Sequence, residues 1–224
     1  MTNGIVEQIS VGLPQTYGQE NAADPMDQVW TSAFYKYEVK GPVTATQTLI
    51  EGDGQFNLKN HGGIDKAILV YAASHYDYWR TSLKEQLNGQ DFQYGAFGEN
   101  LTVSHFDEEN VCLGDEYQIG EVVIQVSQPR HPCWKLARRW RIPNLEKTAL
   151  EQRKLGWYAR VLKTGVMEAG QAIELINRPL PEWTIQKLNH MLYTEIDNLA
   201  ANQFIAECPV LAESWKKPFL ERVK

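Results

Sequence analysis

The chain has 224 residues, 43% hydrophobic and 22% charged, enough for one large domain or a main domain with a small appendage around a sizeable core. Its net charge of −6 argues against general nucleic-acid or acidic-membrane binding, and no apolar run reaches the roughly 20 residues of a spanning helix. The N-terminus lacks the basic-then-apolar layout of a signal peptide, so the expected compartment is cytoplasmic; three widely spaced cysteines without a C-x-x-C pair fit a reducing one.

In chain order, the alternation of Ile5, Glu7, Ile9 and Val11 with Val6, Gln8 and Ser10 predicts a first strand ended by Gly12 and Pro14. Loop 17–27 is polar. Segments 29–40 and 42–50 are aromatic and β-branched and read as extended chain up to the turn Glu51-Gly52-Asp53-Gly54. Residues 67–71 predict a short buried strand. Ser74 is placed to cap a helix through about Leu87, with Tyr76, Trp79, Leu83 and Leu87 on one stripe. Residues 97–103 return to extended chain, and 117–127 predict a hairpin turning near Gly120 with Val122, Ile124 and Val126 on one face. Pro129 and Pro132 end the sheet pattern. Helices follow at 134–141 and after Asn144, then strands at 158–162 and 172–176. Many short strands with few helices between them suggest a barrel rather than a doubly wound sheet. Arg178-Pro179-Leu180-Pro181 is the expected boundary, followed by helices at 184–193, 196–206 and 210–223 that either form a small bundle or pack on the barrel.

Charge is unevenly spread. Residues 130–163 hold ten Lys or Arg against only Glu146 and Glu151, giving +8, while the rest carries −14. Such an island reads either as a site for one small anion or as a solvated face balanced by acids elsewhere in the fold.

Three segments carry candidate chemistry. The first is Pro129-Arg130-His131-Pro132-Cys133-Trp134-Lys135-Leu136. Cys133 is expected at the start of a helix beside Arg130 and Lys135, surroundings that favour the thiolate, the form that attacks electrophiles or binds a soft metal. Lys135, Arg138 and Arg139 share one helix face and Leu136, Ala137 and Trp140 the other. The competing reading is a buried small hydrophobe. Cys112, among apolar neighbours, and Cys208, before Pro209, read as structural. The second segment, 59–67, combines Gly62 and Gly63 with Lys59, His61 and Lys66, and is either a ligand-approach loop or a tight turn. In the third, 97–101, Glu99 and Asn100 either orient polar ligand groups or bond a loop backbone. No G-x-S-x-G, H-E-x-x-H or dinucleotide fingerprint occurs, and His75, His105 and His190 have no evident partner.

Taken in order, His61-Gly62-Gly63-x-Asp65-Lys66-Ala67, Phe97-Gly98-Glu99-Asn100-Leu101, Leu113-Gly114-Asp115 and Gln128-Pro129-Arg130-x-Pro132-Cys133-x-Lys135-Leu136 resemble the MOSC domain, named for the C-terminal part of molybdenum cofactor sulfurase. The likeness is to the stand-alone bacterial branch that reduces 6-hydroxylaminopurine and related N-hydroxylated compounds and carries a three-helix C-terminal extension. It implies a mainly β fold with helices: a MOSC-type β-barrel over 1–177 and a C-terminal three-helix extension over 182–224. It further implies a molybdenum cofactor (molybdopterin), with Cys133 as both the catalytic residue and the ligand to molybdenum. Lys59, His61, Lys66, Glu99, Asn100, Arg130 and Lys135 are expected around the cofactor. The family pattern varies at His131, which stays outside this set. The chain shows no flavin, haem or nicotinamide motif, so electrons are expected from a separate reductase. The alternative is a sulfur carrier or cofactor-handling module holding a Cys133 persulfide. That reading is weakened because the chain has no aminotransferase-like sulfurase portion.

Overall fold

The computed structural model describes residues 3–224, the side chain of Asn60 aside. Expectations that touch residues 1 and 2, the N-terminal layout and the first two positions of the barrel range, lie outside the described residues. Among the described residues twelve strands form: β1 (Gly4–Val11), β2 (Gln15–Tyr17), β3 (Trp30–Ser32), β4 (Tyr37–Glu38), β5 (Val43–Ala45), β6 (Ile68–Ala72), β7 (Leu101–Val103), β8 (Glu116–Ile119), β9 (Val122–Pro129), β10 (Trp157–Lys163), β11 (Gly165–Met167) and β12 (Ala172–Asn177). Seven of them close a barrel in the order β1-β12-β8-β9-β10-β6-β7 and back to β1, with β4 added beside the end of β1. Only β6 and β7 run parallel; the other barrel pairs are antiparallel. Closure pairs Gly4 with Ile173 and Ile5 with Ala172, which removes the open sheet edges.

Strand β1 departs from simple alternation. Its register with β7 shifts between Val6 and Gln8, and the extra residue turns the side-chain order over at that point. Val6 and Ile9 are therefore buried while Ile5 faces out. The hairpin β8–β9 keeps strict period, and Val122, Ile124 and Val126 fill the interior. The long extended stretches read at 29–40 and 42–50 break into the short strands β3, β4 and β5; β2–β3 and β5–β11 form separate ribbons.

Helices α1 (Leu58–His61), α2 (His75–Ser82), α3 (Lys135–Trp140) and α4 (Leu145–Glu151) lie in the barrel connections. The stripe Tyr76, Trp79, Leu83 and Leu87 is buried as expected, but α2 ends at Ser82 and the last two sit in turns; the Ser74 side chain makes no cap. Asn144 precedes α4 with a left-handed backbone, and its carbonyl rather than its side chain accepts from Lys147 and Thr148. These helices bury Trp79, Phe97, Leu136 and Trp140 in a second core outside the barrel. The histidines do have partners: His75 is buried against Glu108 at 2.6 Å, His105 bonds Asn3 O, and His190 faces Glu195.

Beyond residue 181 come α5 (Ile185–Tyr193), α6 (Leu199–Glu207) and α7 (Glu213–Arg222); Thr184 and Asn198 cap the first two by accepting from Lys187 N and Ala201 N, while α7 follows Ala212, which offers no side-chain cap. Their apolar faces do not make a core of their own. Leu188, Ile205, Trp215 and Phe219 join the same cluster as the barrel residues Val111, Leu113 and Tyr117. Cys208 is buried within this packing, and Cys112 is buried with its thiol 3.4 Å from Pro181 O. No helix among the described residues is long and apolar enough to cross a membrane.

Candidate active site

Strand β9 pairs with β10 as far as Pro129 opposite Trp157, then releases the chain into 130–134 before α3 begins. The Arg130 amide donates to Gly156 O at 3.1 Å. The turn that presents Gly156 is held from behind by Glu108, whose carboxylate accepts from Leu155 N and Gly156 N. Burial pushes the Glu108 carboxyl up, but the His75 hydrogen bond and charge and the Gly156 amide outweigh it and hold it below its ordinary range. Helix α3 anchors through Leu136, Ala137 and Trp140, and Trp140 donates its indole N–H to Ala96 O. A segment fixed at both ends thus carries Arg130 and Cys133 to one cleft.

That cleft, about 600 Å³ of empty space including its mouth, lies between the barrel end, the 32–36 and 53–57 loops, α1 and the start of α3. Of the residues expected at a site, His61, Lys66, Asn100, Arg130, Cys133 and Lys135 line it. Lys59 and Glu99 do not. Lys59 is exposed on α1. Glu99 is fully buried below the floor, and its carboxylate accepts from Gly95 N, Phe97 N, Thr102 Oγ1 and the Tyr76 hydroxyl. Asn100 is a wall residue: its amide bonds Leu69 N, Ser10 O and Asp53 Oδ2, tying β1, β6 and the 53 loop together. Gly98, at φ +75°, lets the backbone pass under Phe34, whose ring a Cβ would approach at 3.1 Å. Gly63, at φ +94°, likewise serves the turn, and neither Gly62 nor Gly63 reaches the cleft.

Arg130 decides what the cleft can bind. Its side chain is 5% exposed, lies over the Phe34 ring at 5.9 Å, and its buried Nη1 has no hydrogen-bond partner among the described residues. A buried guanidinium nitrogen without an acceptor is costly unless an anion supplies one. The described lining adds Lys36, Lys66 and Lys135 against a single carboxylate, Asp53. Asp53 is already engaged by Lys36, Gly12 N and Asn100. Burial pulls Lys36 down while Asp53 pulls it back up. Desolvation lowers the His61 imidazole to about 4, with Arg130, Lys135 and Lys66 adding to the shift, so the ring is neutral at pH 7. Burial also lowers Lys66 and Lys135, and raises the Tyr158 phenol against the pull of Arg130. Cys133 is half-buried and free, with its thiol on the cleft wall.

The remaining cations of the basic island disperse. Arg138 donates to Pro25 O and Gln28 O, Arg141 pairs with Asp24 and Asp27, Arg160 pairs with Asp65, and Arg139 stacks over Tyr35. Both readings of the island hold in part: two of its members face the cleft and these others face acids, carbonyls or an aromatic ring. Sequence reasoning missed Lys36, Asp53, Phe34 and Tyr158. Only the Asp flanked by two glycines was a local signal, and it reads as a turn.

Among the described residues no group of three or more His, Cys, Asp or Glu converges on a metal ion. A single thiol would hold a metal only within a group that brings its own ligands. A soft thiolate ligand next to a neutral imidazole and an unmatched buried guanidinium fits a metal carried by an anionic organic cofactor.

Comparison with known proteins gives a consistent result. The sequence model of the MOSC domain matches residues 57–174, and that of the YiiM-like, 3-alpha helix domain matches 183–224. The chain is 36% identical to the protein YflK of Bacillus subtilis (strain 168) over 96% of its own length and 92% of that protein. It is 38% identical to a protein named Reductase from Gibberella moniliformis, over 81% of this chain but only 31% of that one. The crystal structure of YiiM from Geobacillus stearothermophilus superposes with a TM-score of 0.79 at 36% identity, covering 99% of this chain and 100% of that chain.

Proposed function

Because the chain belongs to the MOSC domain family, we propose that it is a molybdenum-cofactor-dependent reductase of N-hydroxylated compounds such as hydroxylaminopurines, working in the cytoplasm with electrons from a separate reductase. The observation that carries this reading is the buried Arg130 guanidinium, with one nitrogen lacking an acceptor among the described residues, in the same cleft as the half-buried Cys133 thiol. Arg130, Lys66 and Lys135, which line the cleft, would take the cofactor's phosphate. Cys133 would ligate the metal. His61, neutral among cations, would offer an uncharged ring nitrogen rather than a further positive charge. Asn100 and the Lys36–Asp53 pair would keep the wall rigid. When bound, the cofactor supplies a two-electron redox centre for removing oxygen from nitrogen.

Reduction of an N-hydroxylated base to its amine breaks one N–O bond, takes up two electrons and two protons, and releases water. The name of the Gibberella relative supports a reductase reading.

The test is metal and pterin analysis of protein purified without oxygen from a cofactor-producing host. Stoichiometric molybdenum that is lost in Cys133→Ala, with donor-driven hydroxylaminopurine reduction lost in Cys133→Ser, is the expected result. Cofactor-free protein carrying a cyanide-labile sulfur on Cys133 would overturn it in favour of the sulfur-carrier reading.

A further inference from the structure

We propose that the C-terminal helices set the position of the Cys133 thiol, through a clamp in which Tyr193 of α5 and Trp215 of α7 hold His131. His131 Nδ1 lies 2.8 Å from the Tyr193 hydroxyl, and its ring stacks on Trp215 with centroids 5.4 Å apart and planes 27° from parallel. Trp215 is a firm platform: it is 1% exposed and stacks in turn on Phe219, which is fully buried. The helical unit also grips the strand that feeds the loop. Ala212 N donates to Ser127 O at 3.0 Å, and Ser214 Oγ donates to Gln128 Oε1 at 3.3 Å.

The covalent path from clamp to thiol is short and stiff. Pro132 stands between His131 and Cys133, with its own φ fixed and with His131 restricted to extended backbone. The loop backbone is tied at its ends, by Arg130 N to Gly156 O and by Leu136 N to Cys133 O. Between those points the His131 side chain is the link to the helical unit. Few soft torsions remain between that ring and the Cys133 Cα, so the orientation of one sets the other. His131, Tyr193 and Trp215 are accordingly positioning residues, and this gives the three-helix unit a role beyond completing the fold.

The inference takes Cys133 as the reacting group from the proposed function, but its test reads the thiol directly and needs no cofactor. Native protein is alkylated with iodoacetamide and the rate at each cysteine is followed by peptide mass spectrometry. Tyr193→Phe alters nothing beside Cys133 and removes one hydrogen bond; it is expected to speed Cys133 alkylation about five-fold, the equivalent of about 1 kcal/mol. His131→Ala should speed it about ten-fold, and His131→Gln, which can still bond the Tyr193 hydroxyl, should return it to within about two-fold of the parent. Cys112 and Cys208, buried in the barrel and in the helical unit, are internal monitors. Acceleration confined to Cys133 supports the clamp. An unchanged Cys133 rate in Tyr193→Phe and His131→Ala would overturn it, and so would equal acceleration at all three cysteines, which marks general loosening.

Discussion

Turn 97–100 and loop 130–135 border the same cleft, and each buries one charged side chain, Glu99 at 0% and Arg130 at 5% exposure. Their surroundings differ. Glu99 accepts from two amides and two hydroxyls, so its charge is fully matched by the fold that buries it. Arg130 keeps Nη1 without a partner among the described residues and faces a cleft rich in other cations. A fully satisfied buried charge organises a backbone; one left unmatched at a cavity wall is available to a ligand. Motif positions of one family pattern thus divide into those that build the site and those that bind there.

The largest expected effect tests the structural half of that contrast. Glu99→Ala leaves Gly95 N, Phe97 N and the Tyr76 and Thr102 hydroxyls without their acceptor in a dry interior. Roughly 3–5 kcal/mol of stability should be lost, as for other broken buried networks, and urea unfolding at neutral pH measures it. A loss under about 1 kcal/mol would mean the turn does not depend on this carboxylate.

Arg130→Met should do the reverse. It removes an uncompensated buried cation while keeping volume and contact with Phe34, so stability in ligand-free buffer should stay level or rise by about 1–2 kcal/mol. Affinity for inorganic phosphate, read by calorimetry, should fall at least about ten-fold, the worth of one charge-assisted bond. Destabilisation equal to that of Glu99→Ala, with phosphate binding intact, would erase the distinction between the two regions.

How far the sequence announced this arrangement depends on the range of the interaction. Period-two alternation marked the β8–β9 hairpin, and helical spacing marked the Tyr76, Trp79, Leu83 and Leu87 stripe, because both patterns are local. The register shift in β1 was invisible, since a bulge is decided by the partner strand. Residue type and motif order brought six of the eight expected side chains to one cleft. They could not separate Glu99 and Lys59 from the rest, because whether a polar atom is already bonded depends on distant residues such as Tyr76. The same holds for Lys36 with Asp53 and for His75 with Glu108, pairs that meet only after the barrel closes. His131 shows the opposite failure: a position the family pattern leaves open is placed by Tyr193 and Trp215, on helices outside the barrel.

The smallest expected effect probes the cleft without altering it. The His61 imidazole sits at about 4 because it is desolvated and because Arg130, Lys135 and Lys66 repel a further proton. Between that value and the ordinary 6.5 the unfolded chain binds more protons at this position than the folded one. The residue's contribution therefore favours folding above about pH 6.5 and is lost as pH falls toward 4. An anion lodged among the same three cations offsets the repulsion. Saturating inorganic phosphate should then raise the His61 pKa by about one unit, narrowing that window from below, and NMR titration of the imidazole resonances follows it. Lys59→Ala should change neither the free nor the phosphate-bound value, because Lys59 lies on the exposed side of α1 and solvent screens its charge. A His61 that titrates near 6.5 with no phosphate present would show that the cations do not converge on it, and the cleft would lose its claim to be an anion site.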